Sequence, residues 1–232
     1  MSNRDFASKQ LNMIKNRIRC AAISVKRDPT TIKLVGASKQ KSAEILRSFY
    51  LAGLSNMGEN YLQEALVKQA ELNDLSIDWH FIGKPQSNKC KTIAQHFDWV
   101  HSVDRLKIAQ RLAQFRSAQE KSPINLLIQL NVDQEQSKGG IAVAQAPSLC
   151  AQISDLENVQ LRGFMLIPKA TDSIDQQRRP FAAARDVLER TNQRYGLGLD
   201  TLSMGMSSDL EAAINEGATI IRIGSALFGA RT

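Results

Sequence analysis

The sequence lacks most features that mark a specialised class of protein. It has three cysteines, Cys20, Cys90 and Cys150, all far apart. An odd, scattered set argues against a disulfide framework and fits a reducing compartment. Its three histidines, His80, His96 and His101, form no H-x-x-x-H pair, and the cysteines form no C-x-x-C pair. No metal site is therefore expected. No apolar run approaches the ~20 residues of a membrane span. The N-terminal stretch alternates charged and apolar residues, without the hydrophobic segment of a secretory signal. A soluble, cytoplasmic protein is expected. G-x-S-x-G, G-x-G-x-x-G and G-x-x-x-x-G-K-[ST] are missing, which removes the hydrolase elbow and two common phosphate loops. The 6 prolines and 13 glycines scatter at the ends of periodic segments. Nothing reads as a linker, so residues 1–232 are expected to form one domain.

What is present is an ordinary folding composition. The 232 residues are 43% hydrophobic and 23% charged. A chain of this size buries about 70% of its unfolded surface and needs no staple. The 30 Lys+Arg exceed the 23 Asp+Glu, giving +7. That balance points to an anionic partner: nucleic acid, an anionic membrane surface or a phosphorylated small molecule. A nucleic-acid binder needs a basic face interleaved with stacking rings. Aromatics are only 6%, and the clusters Lys84/Lys89/Lys91 and Arg178/Arg179 are small. Solvated surface charge is the preferred reading of most of the excess.

Short apolar runs alternate with amphipathic stretches. A first helix is expected over 5–26. Strands follow at 31–37, 56–58, 78–83, 99–103, 124–131, 159–165, 201–203 and 218–223. Between them, helices are expected at 38–53, 61–72, 87–96 (capped by Ser87 or Asn88) and 104–118 (capped by Asp104). Further helices are expected ending near Leu156, over 175–195 with a stop at Gly196, over 208–216 and around 226–228. Eight strand–helix units imply parallel strands joined by right-handed crossovers. They match an α/β (β/α)8 TIM barrel with an extra N-terminal helix; a doubly wound open sheet is the alternative.

In a barrel, ligands sit at the C-terminal ends of the strands. The first strand ends at Lys39. Shielded from water there, an amine becomes a nucleophile toward aldehydes, although a solvated lysine beside Lys41 is the plainer reading. The second strand ends at Glu59 and Asn60, which face the mouth or cap the next helix. His80, near the end of the third, is either a site residue or a hydrogen-bonded core imidazole. Loops seven and eight carry Ser203, Met204, Ser207 and Ser208, and Gly224-Ser225 opens a short helix. Barrels often bind phosphate at this place. Arg222 lies within an apolar strand and must face a ligand or a carboxylate. An amine, a phosphate cradle and a buried guanidinium together suit a phosphorylated aldehyde such as pyridoxal 5′-phosphate (PLP).

The motifs Gly36-Ala-Ser-Lys39, Gly58-Glu-Asn-Tyr61, His80-Phe-Ile-Gly83 with Gln86-Ser-Asn-Lys89, Ser203-Met-Gly-Met-Ser207 and Arg222-Ile-Gly-Ser225 with Phe228-Gly-Ala-Arg231 occur in this order. Together they resemble the pyridoxal phosphate homeostasis proteins, single-domain relatives of the alanine racemase N-terminal barrel (fold type III of PLP proteins). The resemblance implies an internal aldimine on Lys39 and Arg222 against the pyridine nitrogen. It implies Ser203, Gly224 and Ser225, beside Met204, at the phosphate, and Asn60 and His80 near the ring. Ser137-Lys138-Gly139 resembles a family segment near the mouth, where Lys138 either assists cofactor exchange or, as the plainer reading, is a solvated loop lysine. Gly36-Ala37 and Gly83-Lys84-Pro85 depart from the usual pattern without removing a ligand. Racemases of this fold carry a second domain with an opposite-face base, for which no room is expected after Thr232. The implied function is a non-catalytic, monomeric PLP carrier that serves PLP-dependent apo-enzymes. An amino-acid racemase is the alternative.

Overall fold

The computed structural model describes residues 2–118, 121–133, 135 and 139–229. Among these, eight parallel strands close a barrel in sequence order. They are β1 (Lys33–Ala37), β2 (Asn56–Glu59), β3 (Asp78–Phe81), β4 (Trp99–Val103), β5 (Ile124–Leu130), β6 (Val159–Leu166), β7 (Thr201–Ser203) and β8 (Ile220–Ile223). Strand β8 pairs back onto β1, with Val35 opposite Arg222. Helix α1 (Asn3–Ser24) precedes the barrel. Crossover helices α2 (Ala43–Leu51), α3 (Leu62–Glu71), α4 (Cys90–His96), α5 (Leu106–Ser117), α6 (Ala146–Ser154), α7 (Ile174–Tyr195) and α8 (Leu210–Asn215) surround it. The short α9 (Ser225–Phe228) follows β8. The expected (β/α)8 architecture with an extra N-terminal helix is the one observed.

Local chemistry sets the ends. Ser2 and Asp5 form a capping box on α1, and Ser42 caps α2 through the Ile45 N–H. Gly196, at φ 64°, ends α7. Three expectations need correction. The helix expected from Ser38 starts only at Ala43, because residues 38–42 form a turn that carries Lys39. Residues 87–89 form a 3-10 turn before α4, and neither Ser87 nor Asn88 caps it. Asp104 does not cap α5; its carboxylate instead reaches Arg105 at 2.6 Å and Lys84 at 3.5 Å.

Two of the arginines are architectural. Arg27 donates to the carbonyls of Ile214 and Ala218, and Arg116 to those of Ala94, Phe97 and Ser122. These guanidinium groups satisfy carbonyls in the last turns of α4 and α8 and in the loops beside them. Helix α1 is held the same way. Its Arg17 makes a two-pronged pair with Glu211 of α8 and donates to the Ser207 carbonyl.

Two apolar layers result. The outer one lies between strands and helices. There Phe49 of α2 is fully buried, 6.3 Å from the Phe6 ring and 4.6 Å from the Phe228 ring. The inner one holds Val35, Trp99, Leu127, Met165 and Ile220. Barrel interiors are usually filled by branched apolar side chains. Here His80, His101, Ser203 and Arg222, all buried and joined by hydrogen bonds, occupy part of the interior instead.

Burial holds both imidazoles well below their ordinary value of 6.5. Neighbouring ionisable groups add to this: Lys33 for His80, and His80, Arg222 and Lys33 for His101. Below that value the unfolded chain binds protons that the folded barrel refuses, so stability is lost as pH falls. Each imidazole contributes up to about 1.4 kcal/mol per pH unit. Urea unfolding at pH 7.5 and 5.5 should show this loss, with a shallower slope in His101→Asn; equal slopes would contradict it. Phe49→Ala should lower unfolding stability by about 3–5 kcal/mol at unchanged denaturant slope, and a loss under about 1 kcal/mol would show the aromatic contact to be dispensable.

Candidate functional site

A cavity of about 450 Å³ opens at the C-terminal ends of the strands. Five of the eight residues expected around a cofactor line it: Lys39, Asn60, Arg222, Gly224 and Ser225. Ser207 and Ser208 line it as well, with Ala37, Ile82, Ile167 and Met206 as apolar wall.

The Lys39 turn is clamped from outside the barrel. The Ser38 N–H donates to the Gly58 carbonyl, and Ser38 Oγ donates to Glu59 Oε1 at 2.6 Å. Lys68 of α3 donates to the Ser38 carbonyl at 2.8 Å, to Glu59 Oε1 at 2.7 Å and to Glu64 Oε1 at 2.6 Å. Glu64 Oε1 also accepts the N–H of Gln40, which sits at φ 60°. Both residues flanking Lys39 are thus fixed, while the half-buried Lys39 side chain reaches the cavity wall. Burial raises the Glu59 carboxyl above its usual range, with Lys68 and Ser38 pulling the other way. Glu59 was expected to face the mouth or to cap α3. It does neither, because side chains alternate along β2 and Glu59 points outward under α3.

Asn60 is placed by its neighbour Gly83. A Cβ on Gly83 would lie 2.0 Å from the Asn60 carbonyl oxygen, so only glycine permits this approach. Ser102 Oγ donates to the Gly83 carbonyl and pins the same loop. Across the cavity, Gly205 turns the chain at φ 93°, and a Cβ there would lie 2.6 Å from that of Ala213. That turn brings Ser207 and Ser208 beside Gly224 and Ser225. Asp209 Oδ1 accepts the Met206 N–H at 2.6 Å, and Arg17 holds the Ser207 carbonyl at 3.0 Å.

Arg222 projects inward from β8 and is buried at the floor of the cavity. Its Nη1 donates to the Ser203 carbonyl at 2.6 Å and to Ser203 Oγ at 2.7 Å; Nη2 donates to the Leu166 carbonyl at 3.0 Å. Burial brings its pKa down to about 10, and Asp209 opposes the shift. The guanidinium therefore stays cationic at neutral pH.

Three expected site residues lie off the cavity. His80 is a core imidazole, stacked on Trp99 at 5.5 Å and bonded to Asn56 Oδ1 at 3.0 Å and His101 Nε2 at 2.9 Å. Ser203 is fully buried beneath Arg222. Met204 is fully buried in the outer apolar layer, one residue beyond β7 and so on the opposite face from Ser203. Ser137 and Lys138 lie outside the described residues, as do Ala230 and Arg231. Sequence reasoning missed Lys68 and His101. Lys68 carried a signal, since it sits on the buried stripe of α3 between Ala65 and Leu72.

Residues 11–232 match the family described as alanine racemase, N-terminal domain. The chain is 56% identical to the pyridoxal phosphate homeostasis protein of Pseudomonas aeruginosa, over 93% of this chain and 91% of that one. It is 42% identical to the protein of the same name from Haemophilus influenzae, over 95% and 94%. Among solved structures, PipY of Synechococcus elongatus with PLP bound is 37% identical and superposes with a TM-score of 0.84, over 96% of this chain and 100% of that one. Sequence, fold and length of match agree: the chain belongs to the pyridoxal phosphate homeostasis proteins, within the alanine racemase N-terminal domain family.

Proposed function

We propose that this chain binds PLP in the cavity, attached through Lys39, and holds and delivers the cofactor without turning over a substrate. The donor set fits such a group. It offers a primary amine, a cationic guanidinium, serine hydroxyls and the first-turn amides of α9, arranged around a cavity of about 450 Å³. Small-molecule sites commonly measure about 300–1,000 Å³. Two relatives carry the homeostasis name, and PipY was solved with PLP bound. When bound, the cofactor supplies an aldehyde for amines and a ring that withdraws electrons from them.

Each residue then has a role. Lys39 supplies the amine, held in place by the clamp on Ser38 and Gln40. Ser207, Ser208, Gly224 and Ser225 receive the phosphate. Asn60, Ile82 and Ile167 would hold the remainder of the cofactor. Arg222 donates to the ring nitrogen. A cationic donor cannot accept a proton from that nitrogen, so it stays unprotonated and the electron sink is weak. A recipient PLP-dependent apo-enzyme with a protonating partner would hold the cofactor in a more reactive form.

The observation that carries the non-catalytic reading is the lining itself. Among the described residues that line the cavity, Lys39 is the one Brønsted base. Two-sided proton transfer needs a base on each face. The free thiols Cys20, Cys90 and Cys150 suit a reducing cytoplasm. To test the reading, PLP-loaded protein is incubated with L-amino acids and, separately, with an apo-aminotransferase. Activation of the apo-enzyme with no D-amino acid or keto acid formed by the carrier alone is expected. Turnover abolished by Lys39→Ala would overturn the carrier reading in favour of a racemase.

A further inference from the structure

Arg222 is held by a hydrogen-bond chain that crosses the barrel interior. From the cavity downward it runs Arg222 Nη1 to Ser203 Oγ (2.7 Å), Ser203 Oγ to His101 Nδ1 (2.8 Å), His101 Nε2 to His80 Nδ1 (2.9 Å) and His80 Nε2 to Asn56 Oδ1 (3.0 Å). The four residues Arg222, Ser203, His101 and His80 are all buried.

The far end determines the proton order. Asn56 Oδ1 only accepts, and its Nδ2 is turned to Ser55 Oγ at 3.1 Å. His80 must therefore carry its proton on Nε2 and accept at Nδ1. His101 must then donate from Nε2 and accept at Nδ1. The Ser203 hydroxyl must give its proton to His101, which turns its lone pairs toward Arg222. Every link points the same way, and both imidazoles stay neutral. A guanidinium has no acceptor of its own, so this order is the one that serves it.

We infer that His101 is a positioning residue for the cofactor's ring nitrogen: with His80 and Asn56 behind it, it orients the Ser203 hydroxyl as an acceptor and so fixes the face that Arg222 presents to the cavity. This rests on the PLP reading above and adds to it a device for that one contact. It also gives Ser203 and His80, expected as direct cofactor ligands, a role one and three bonds removed.

The test compares two ligands: PLP, and its phosphorylated 1-carba analogue, in which C–H replaces the ring nitrogen. Affinity is read by fluorescence or absorbance titration in wild type, Ser203→Ala, His101→Phe and His101→Asn, each shown to be folded by urea unfolding. Wild type should prefer PLP by about tenfold. The preference should fall to about twofold in Ser203→Ala and His101→Phe. It should return in His101→Asn, whose Oδ1 accepts where Nδ1 did. A merely structural defect would weaken both ligands alike and leave the ratio unchanged. A ratio untouched in Ser203→Ala, which adds no bulk, overturns the inference even if His101→Phe does not fold. Wild type that binds neither ligand overturns the PLP reading itself, and wild type that binds both equally overturns the contact to the ring nitrogen.

Discussion

A guanidinium buried inside a closed barrel must find acceptors or destabilise the fold. Arg222 meets that requirement without a carboxylate in hydrogen-bond contact. Its partners are the carbonyls that end β6 and β7 and one serine hydroxyl. Neutral acceptors leave the positive charge uncancelled, directed at the cavity floor. The polar interior sector follows from this arrangement, since the serine needs His101, which needs His80, which needs Asn56. A barrel filled only with branched apolar residues would leave that charge with the two carbonyls alone.

The outer layer solves a different problem. The Lys39 turn lies between a strand and a helix, where a flexible loop would scatter the amine. The ion-pair cluster of Lys68, Glu59 and Glu64 is placed under that turn, and Ser38 ties it to the backbone. One partner is fully buried, so loss of Lys68 would strand a carboxylate. Inner and outer devices thus fix two groups that line one cavity. The amine is held by a network outside the barrel and the guanidinium by a network inside it. Helix α1 adds a third restraint, through Arg17 on the loop that carries Ser207.

The fold was legible because its units are local. Apolar runs such as Thr31–Ala37 and Ile124–Asn131 mark strands, and amphipathic stretches between them mark crossovers. The rule that barrel ligands gather at the C-terminal strand ends located Lys39, Asn60, Arg222, Gly224 and Ser225. It failed where one residue changes the face or the depth. Glu59 and Asn60 are neighbours, yet one points under α3 and the other into the cavity. Met204 falls on the wrong face by one position, and His80 lies too deep. The interior chain left no trace in sequence, because its partners are distant: His101 and Ser203 are separated by 102 positions. Of the positive charge that suggested an anionic partner, Arg27 and Arg116 go to carbonyls of the fold, and Lys39 and Arg222 line the cavity.

The carrier proposed above needs a covalent hold that is reversible and a ring environment that discourages chemistry; in that proposal Lys39 supplies the first and Arg222 the second. The most direct measurement is to incubate the protein with PLP, reduce it with borohydride and map the modified peptide by mass spectrometry. The account predicts an absorbance band at about 420 nm that disappears on reduction, with the phosphopyridoxyl mass on Lys39. A protein that stays colourless, or carries the label on surface lysines while Lys39 is unmodified, would contradict it.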